Sequence, residues 1–255
     1  MAESDKNNNV LLFSSRSINF REKHLLADLR SLIPHSKKEQ KLDPKSKLTD
    51  INEISEMRNC QNVLFLEAKR DFSLVWLSKS PNGPSVKFSL QNVTTMGELK
   101  LSGNCLKGSR PILKFDKIFD DHQHLKLMKE LLVQTFSTPK NHSQSKPFFD
   151  HVISFSFLDK RIWFRNYQFV FDENVKDKIS SLVEIGPRFV LKPERIFSGS
   201  FYGATLWQVK KDDLKKIAQL KEAKAFRIRK KSKAKTKKYK KEAILPKNEL
   251  DSIFD

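Results

Sequence analysis

The chain has 255 residues, 38% of them hydrophobic and 20 of them phenylalanine, enough apolar side chain for a packed core and too much for a disordered polymer. Its 49 lysines and arginines against 30 acids give a net charge of +19, a field that draws polyanions, nucleic acid before anionic membrane. No apolar run approaches the ~20 residues of a membrane helix, the N-terminus has no secretory pattern, and two cysteines, Cys60 and Cys105, are too few for a disulfide framework or a zinc site.

In chain order, Val10 to Phe13 is a short apolar run with the look of a buried strand. Asn19 caps a helix through about Ile33, with Phe20, Leu25, Leu29 and Leu32 as its apolar positions and Pro34 as its stop. His35 to Lys47 is polar and reads as a loop, and a second helix covers Asp50 to Asn59. Val63 to Glu67 and Phe72 to Leu77 form a hairpin; Pro81-Asn82-Gly83-Pro84 is a turn, and Val86 to Val93 is the next strand.

The order then repeats. Pro111 to Phe115 is a strand and His122 to Phe136 a helix, with Leu125, Met128, Leu132 and Phe136 near one face. Val152 to Phe157 and Ile162 to Phe171 form a hairpin, and Gly186-Pro187 opens the strand Phe189 to Leu191. Residue identity between the two stretches is poor, so what repeats is the order of elements, as in duplicated α/β halves sharing a core.

Composition changes near Trp207. From Val209 to Asp255 there are 17 lysines and arginines against seven acids. The division expected is a flexible N-terminus at 1–9, a folded body at 10–207 with halves of about 10–105 and 106–207, and a Lys-rich extension at 208–255.

Three blocks carry a family resemblance: Leu11 to Lys37 (LLFSSRSINFREKHLLADLRSLIPHSK), Asn92 to Asp116 (NVTTMGELKLSGNCLKGSRPILKFD) and Val183 to Leu206 (VEIGPRFVLKPERIFSGSFYGATL). Together they resemble the opening, centre and close of the Brix domain. The resemblance implies an α/β fold of two duplicated halves, each similar to the anticodon-binding domain of certain aminoacyl-tRNA synthetases. It also implies binding to precursor rRNA of the large ribosomal subunit, a helical assembly-factor partner among pre-ribosomal particle proteins, and a place in the nucleus and nucleolus. Two departures stand out: a polar stretch from Asp172 to Ser181, and a chain that runs from Gln208 directly into lysines.

An RNA surface needs cations for phosphates and exposed rings or donors for unstacked bases. Lys107 and Arg110 flank Gly108, which would let the backbone approach a phosphate, and Arg188 follows the stiff Gly186-Pro187 step. The competing role for Arg188 is structural, pinning the halves through a carboxylate such as Glu184. Lys69 and Arg70 cap one hairpin, Lys160 and Arg161 the other, and these pairs could point the same way. On a strand, Trp163, Arg165 and Tyr167 share a face opposite Ile162 and Phe164; one face is core, and the other is either ordinary sheet packing or a contact surface.

Within the extension, Lys221 to Lys241 holds twelve cations and one acid, Glu222. Arg227, Arg229, Lys230, Lys231, Lys233, Lys235, Lys237, Lys238, Lys240 and Lys241 can bind phosphates as point charges, act as a nuclear import signal, or merely solubilise. These segments lack an apolar helical face, which argues against a membrane partner. No P-loop, HExxH or GxSxG is present, so no enzyme, cofactor or small-molecule substrate is expected. His122 and His124 read as helix-start residues before they read as metal ligands, and Asp120-Asp121 as first-turn acids. The rival reading is a protein-interaction module with a basic import tail and no contact between body and RNA.

Overall fold

The computed structural model describes residues 9–43, 46–70, 72–99, 103–139, 142–171 and 179–209. The expected flexible N-terminus, apart from Asn9, and nearly all of the Lys-rich extension lie outside the described residues.

The elements are β1 (Val10–Ser14), α1 (Phe20–Leu32), β2 (Ser36–Lys38), α2 (Asp50–Met57), β3 (Asn62–Ala68), β4 (Ser73–Lys79), β5 (Ser85–Thr94) and α3 (Met96–Leu99) in the first half. The second half has β6 (Arg110–Phe115), α4 (Ile118–Asp121), α5 (Gln123–Phe136), β7 (Phe149–Leu158), β8 (Arg161–Phe171), β9 (Ile179–Glu184), β10 (Arg188–Phe197) and β11 (Thr205–Gln208). All eleven strands join one sheet in the order β2-β1-β3-β4-β5-β10-β8-β7-β6, with β9 beside β8 and β11 beside β10.

The duplication is visible in the pairing. β1 is parallel to β3, and β3, β4 and β5 follow antiparallel; β6 is parallel to β7, and β7, β8 and β10 follow antiparallel. The halves meet where β5 and β10 run antiparallel, from Arg188 beside Thr94 to Phe197 beside Ser85. An antiparallel seam relates the halves by an approximate two-fold rotation, so equivalent hairpin tips point to opposite ends of the sheet.

Both principal helices pack on one face. Leu25, Leu29 and Leu32 of α1 and Leu125, Met128, Leu132 and Phe136 of α5 share a buried cluster with Leu64, Val75, Phe88, Phe155, Phe164 and Phe189. α1 starts where the sequence predicts: the Glu22 carboxylate accepts the Asn19 backbone N–H at 3.1 Å. In the first half the opposite sheet face is covered too, by Ile51 of α2 and by Leu42 and Phe201 against Phe13, Phe65 and Trp76. Burial on both faces is why β3 and β4 read as nearly unbroken apolar runs.

The region from His35 to Lys47, expected as loop, holds β2, which pairs parallel with β1. His35 itself is 1% exposed, its ring centroid 6.1 Å from that of His142. Burial, with a smaller contribution from His142, pushes the His35 imidazole down to about 4. The folded state therefore binds the proton more weakly than the unfolded chain, so stability falls as pH drops from 6.5 to about 4 and levels off below. The shift corresponds to about 3 kcal/mol. Urea melts at pH 7 and pH 4 should show this loss, and a His35→Gln variant should show a smaller one; an identical slope in the variant would exclude His35 as its source.

Candidate nucleic-acid interface

The other sheet face of the second half is only partly buried: Val152 and Val190 are shielded on it, and the residues between them are not. Along β8 burial alternates: Ile162, Phe164 and Asn166 are fully buried against the α5 side, while Trp163, Arg165 and Tyr167 are half-buried on the opposite face. Among the described residues no helix covers that face, whereas α2 covers its counterpart in the first half.

Register assembles the surface. Lys114 of β6 lies beside Ser154 of β7, which lies beside Arg165. Trp163 sits between Ser156 and Val190 of β10. Tyr167 sits between Val152 and Glu184 of β9. Ser154 and Ser156 put small side chains between Lys114 of β6 and Trp163 and Arg165 of β8.

Glu184 organises the cations. Arg188 grips it with both ends of its fork, Nε to Oε1 and Nη2 to Oε2, each at 2.5 Å. That hydrogen-bonded carboxylate raises the Arg188 pKa further above its usual value. Arg165 stands with its Nε 3.8 Å from the same carboxylate, donates from Nη1 to the Phe164 carbonyl at 2.9 Å, and lies 5.4 Å above the Trp163 ring. Two guanidiniums share one acid, so the cluster keeps a net positive charge and presents a flat cation stacked on an indole. Both ring and cation planes suit a nucleobase, and the surplus charge suits a phosphate.

The remaining predicted residues are distributed differently from the sequence reading. Lys107 is exposed in the turn before β6; Arg110 begins that strand half-buried and donates from Nη2 to Ser145 Oγ at 3.3 Å. Gly108 is needed for the chain's own packing: its φ is +85°, a Cβ there would lie 2.6 Å from the Gln144 carbonyl oxygen, and its own carbonyl accepts Lys146 N–H at 2.7 Å. It is not an open approach for a phosphate. Arg110 and Arg188 do not form one cluster, since the row Ile112–Val152–Tyr167–Glu184 puts their strands three steps apart, roughly 14 Å. The partner of Arg188 belongs to its own half, so the pair clamps β9 to β10 and does not pin the two halves.

Lys69 pairs with Glu67, and Arg70 is exposed at the β3–β4 turn. Arg161 lies at the β7–β8 turn, at the opposite end of the sheet, because of the two-fold relation; the two tips do not point the same way. Lys69, Arg70, Lys107, Arg110 and Arg188 do share an end: there β3 and β5 finish, and β10 and β6 begin. Sequence reasoning missed Lys114, and the shared use of Glu184 by Arg165; alternation along β6 was the available signal for the former. Asp120 and Asp121 fall in the separate short α4, where Asp120 pairs with Lys129 at 2.7 Å. Both cysteines are free, and burial pushes each thiol up to about 11. Among the described residues no group of three or more His, Cys, Asp or Glu could hold a metal ion.

The sequence profile of the Brix domain matches residues 15–195, a stretch that spans both halves and this open face. The chain belongs to the Brix domain family. It is 56% identical over 200 residues to the human "Ribosome biogenesis protein BRX1 homolog", covering 78% of this chain and 55% of that protein. It is 51% identical over 208 residues to "Ribosome biogenesis protein BRX1" of Saccharomyces cerevisiae, covering 79% and 72%. With the Dictyostelium discoideum homolog the match is 45% over 251 residues, covering 96% of this chain and 76% of that one, and so reaches into the Lys-rich extension. The chain thus spans about half the length of its mammalian relatives. A solved "probable ribosomal biogenesis protein from Aeropyrum pernix K1" aligns at a TM-score of 0.46 and 14% identity, over 79% of this chain and 99% of that chain.

Proposed function

We propose that this Brix domain protein is a non-enzymatic ribosome biogenesis factor that holds precursor rRNA of the large subunit in place during nucleolar assembly. The face of the second half that no described helix covers supports this reading: Trp163, Arg165 and Tyr167 lie half-buried on it, on a sheet whose other faces are packed. Ring, guanidinium and ring at alternate strand positions lie ~6.6 Å apart, which puts the two rings ~13 Å apart, with the Arg165 plane between them as a further stacking surface for an unstacked base. The names of the relatives, ribosome biogenesis proteins in animals, yeast and Dictyostelium, support the process. The body at 10–207 would carry shape-dependent contacts, and the extension at 208–255 would add phosphate affinity without reading sequence.

Protein partners belong to the same reading. Phe171 and Leu182 are more than half exposed at the far end of the β8–β9 pair, an apolar patch of the kind that docks against another particle protein. Nuclear and nucleolar residence follows from the proposed process and from the basic import-like tract.

The test is affinity for a single-stranded RNA, measured by fluorescence anisotropy on a double variant, Arg165→Ala with Tyr167→Ala. Removing one stacking platform and one charged group should weaken binding roughly ten- to a hundredfold while the melting temperature hardly moves. A variant that melts like the parent and binds RNA equally well would remove the face from the RNA path and favour the protein-interaction reading.

A further inference from the structure

The two-fold relation between the halves exposes one difference that neither the family match nor the RNA reading explains. In the second half, β8 stops pairing with β10 at Leu191, and the space beside the end of β10 is filled by β11, which pairs antiparallel with Arg195 to Phe197. β11 carries Trp207 onto the start of α5, where the indole stacks on His124 at 4.8 Å and 4°, with His122 stacked behind at 5.4 Å. In the first half, β4 stops pairing with β5 at Leu90, and no described strand takes the corresponding place beside Gln91 to Thr94. What lies there is a cleft of about 1260 Å³ between the start of α1, the β3–β4 turn and the end of β5.

That cleft is larger than the ~300–1,000 Å³ usual for small ligands, and it is open along a strand edge. Its walls reproduce the features that receive β11. Phe20, 75% exposed, meets His24 edge-on at 4.3 Å at the first turns of α1, as His122 and His124 stand at the start of α5. The acids among its described lining residues are already engaged: Glu22 accepts from Asn19 and Ser73, and Glu98 holds Arg21 at 2.8 Å. At the rim Arg70 is exposed and forms no ion pair among the described residues.

We propose that this cleft is a docking site for an extended segment of a protein partner, which adds antiparallel to the end of β5 as β11 adds to β10, stacks one aromatic side chain on Phe20 and His24, and offers an acid to Arg70. Strand addition supplies main-chain hydrogen bonds, and the ring and the acid supply selectivity. Docking here is independent of RNA binding by the opposite face of the second half.

The probe is a synthetic peptide with the sequence of residues 204–209 (ATLWQV) preceded by one aspartate, titrated into the isotopically labelled full chain and followed by NMR, which registers binding even at millimolar affinity. Amide shifts should move at Gln91 to Val93 and His24, saturate, and lose at least about fivefold in affinity with Phe20→Ala, with Arg70→Ala, or with the peptide tryptophan replaced by alanine. Arg165→Ala on the other face should change nothing. Phe20 and Arg70 are exposed, so these variants should melt like the parent. Absence of shifts in the cleft, shifts that persist unaltered in Phe20→Ala, or displacement of the peptide by oligouridylate with the same cleft residues moving would overturn the proposal. RNA binding that fails on Trp163 and Tyr167 while the peptide still docks would sink the function proposed above and leave this site standing.

Discussion

Replacing Phe164 with alanine should lower the stability of the body by about 3–5 kcal/mol, the usual range for removing a buried phenylalanine. The side chain is fully buried and sits where the two halves share their core. Its ring stacks on Phe189 of β10 at 4.2 Å and meets Phe136 of α5 and Phe155 of β7, both at 5.5 Å. Three elements close around it, so the cavity left behind cannot collapse without moving a helix or a strand. The neighbouring Arg165→Ala change removes a half-exposed guanidinium from the opposite face and should stay within about 1 kcal/mol. Equilibrium urea melts on the two variants separate the faces of one strand. A Phe164→Ala chain as stable as the parent, or an Arg165→Ala chain that unfolds as readily as Phe164→Ala, would mean that core and open face have been assigned to the wrong sides of β8.

The two faces of β8 were legible in the sequence from the strand period of two, but not which of them is core, because Ile162, Trp163 and Phe164 are all apolar and only Arg165 marks a side. Also legible were α1, bounded by Asn19 and Pro34, and the two hairpins with their turn residues. The elements missed are short or lie at edges. β2 consists of Ser36, Lys37 and Lys38, which no propensity would make a strand; parallel pairing with β1 makes it one. β9 and β11 are strands because β8 and β10 offer them an edge, and their sequences carry no period strong enough to announce it.

The candidate site was legible residue by residue but not in its assembly. Arg188 and Glu184 stand four positions apart and were readable as a pair. That Arg165 also reaches Glu184 depends on β8–β9 pairing, that Arg110 is three strands away on the β6–β7–β8 ladder, and that the hairpin tips point apart on the β5–β10 seam, a pairing between residues about a hundred positions apart. Non-local pairing of this kind leaves no local mark. Gly108 reads in sequence as a phosphate-facing glycine because its neighbours are Lys107 and Arg110, whereas its need for a positive φ comes from the segment at Gln144.

Deleting residues 209–255 should change RNA binding more than any substitution in the body, and it should do so chiefly through salt. Lys221 to Lys241 alone holds twelve cations against one acid. Every phosphate of a single strand that the shortened chain no longer neutralises flattens the slope of log K against log salt by ~0.7. If half of those cations touch phosphate, the slope falls by roughly 4, and affinity at low salt falls by orders of magnitude while the two chains converge at high salt. The body should keep its cooperative melt, since Phe164 and its neighbours take nothing from beyond Trp207 among the described residues. The measurement is a salt series of anisotropy titrations on full-length and shortened chains with the same RNA. An unchanged slope would show that the extension's lysines do not meet RNA and would leave nuclear import as their role. A slope that vanishes altogether would show that the open face of the second half meets no phosphate, and Arg165, Arg188 and Lys114 would then have to be read as contacts for an acidic protein surface.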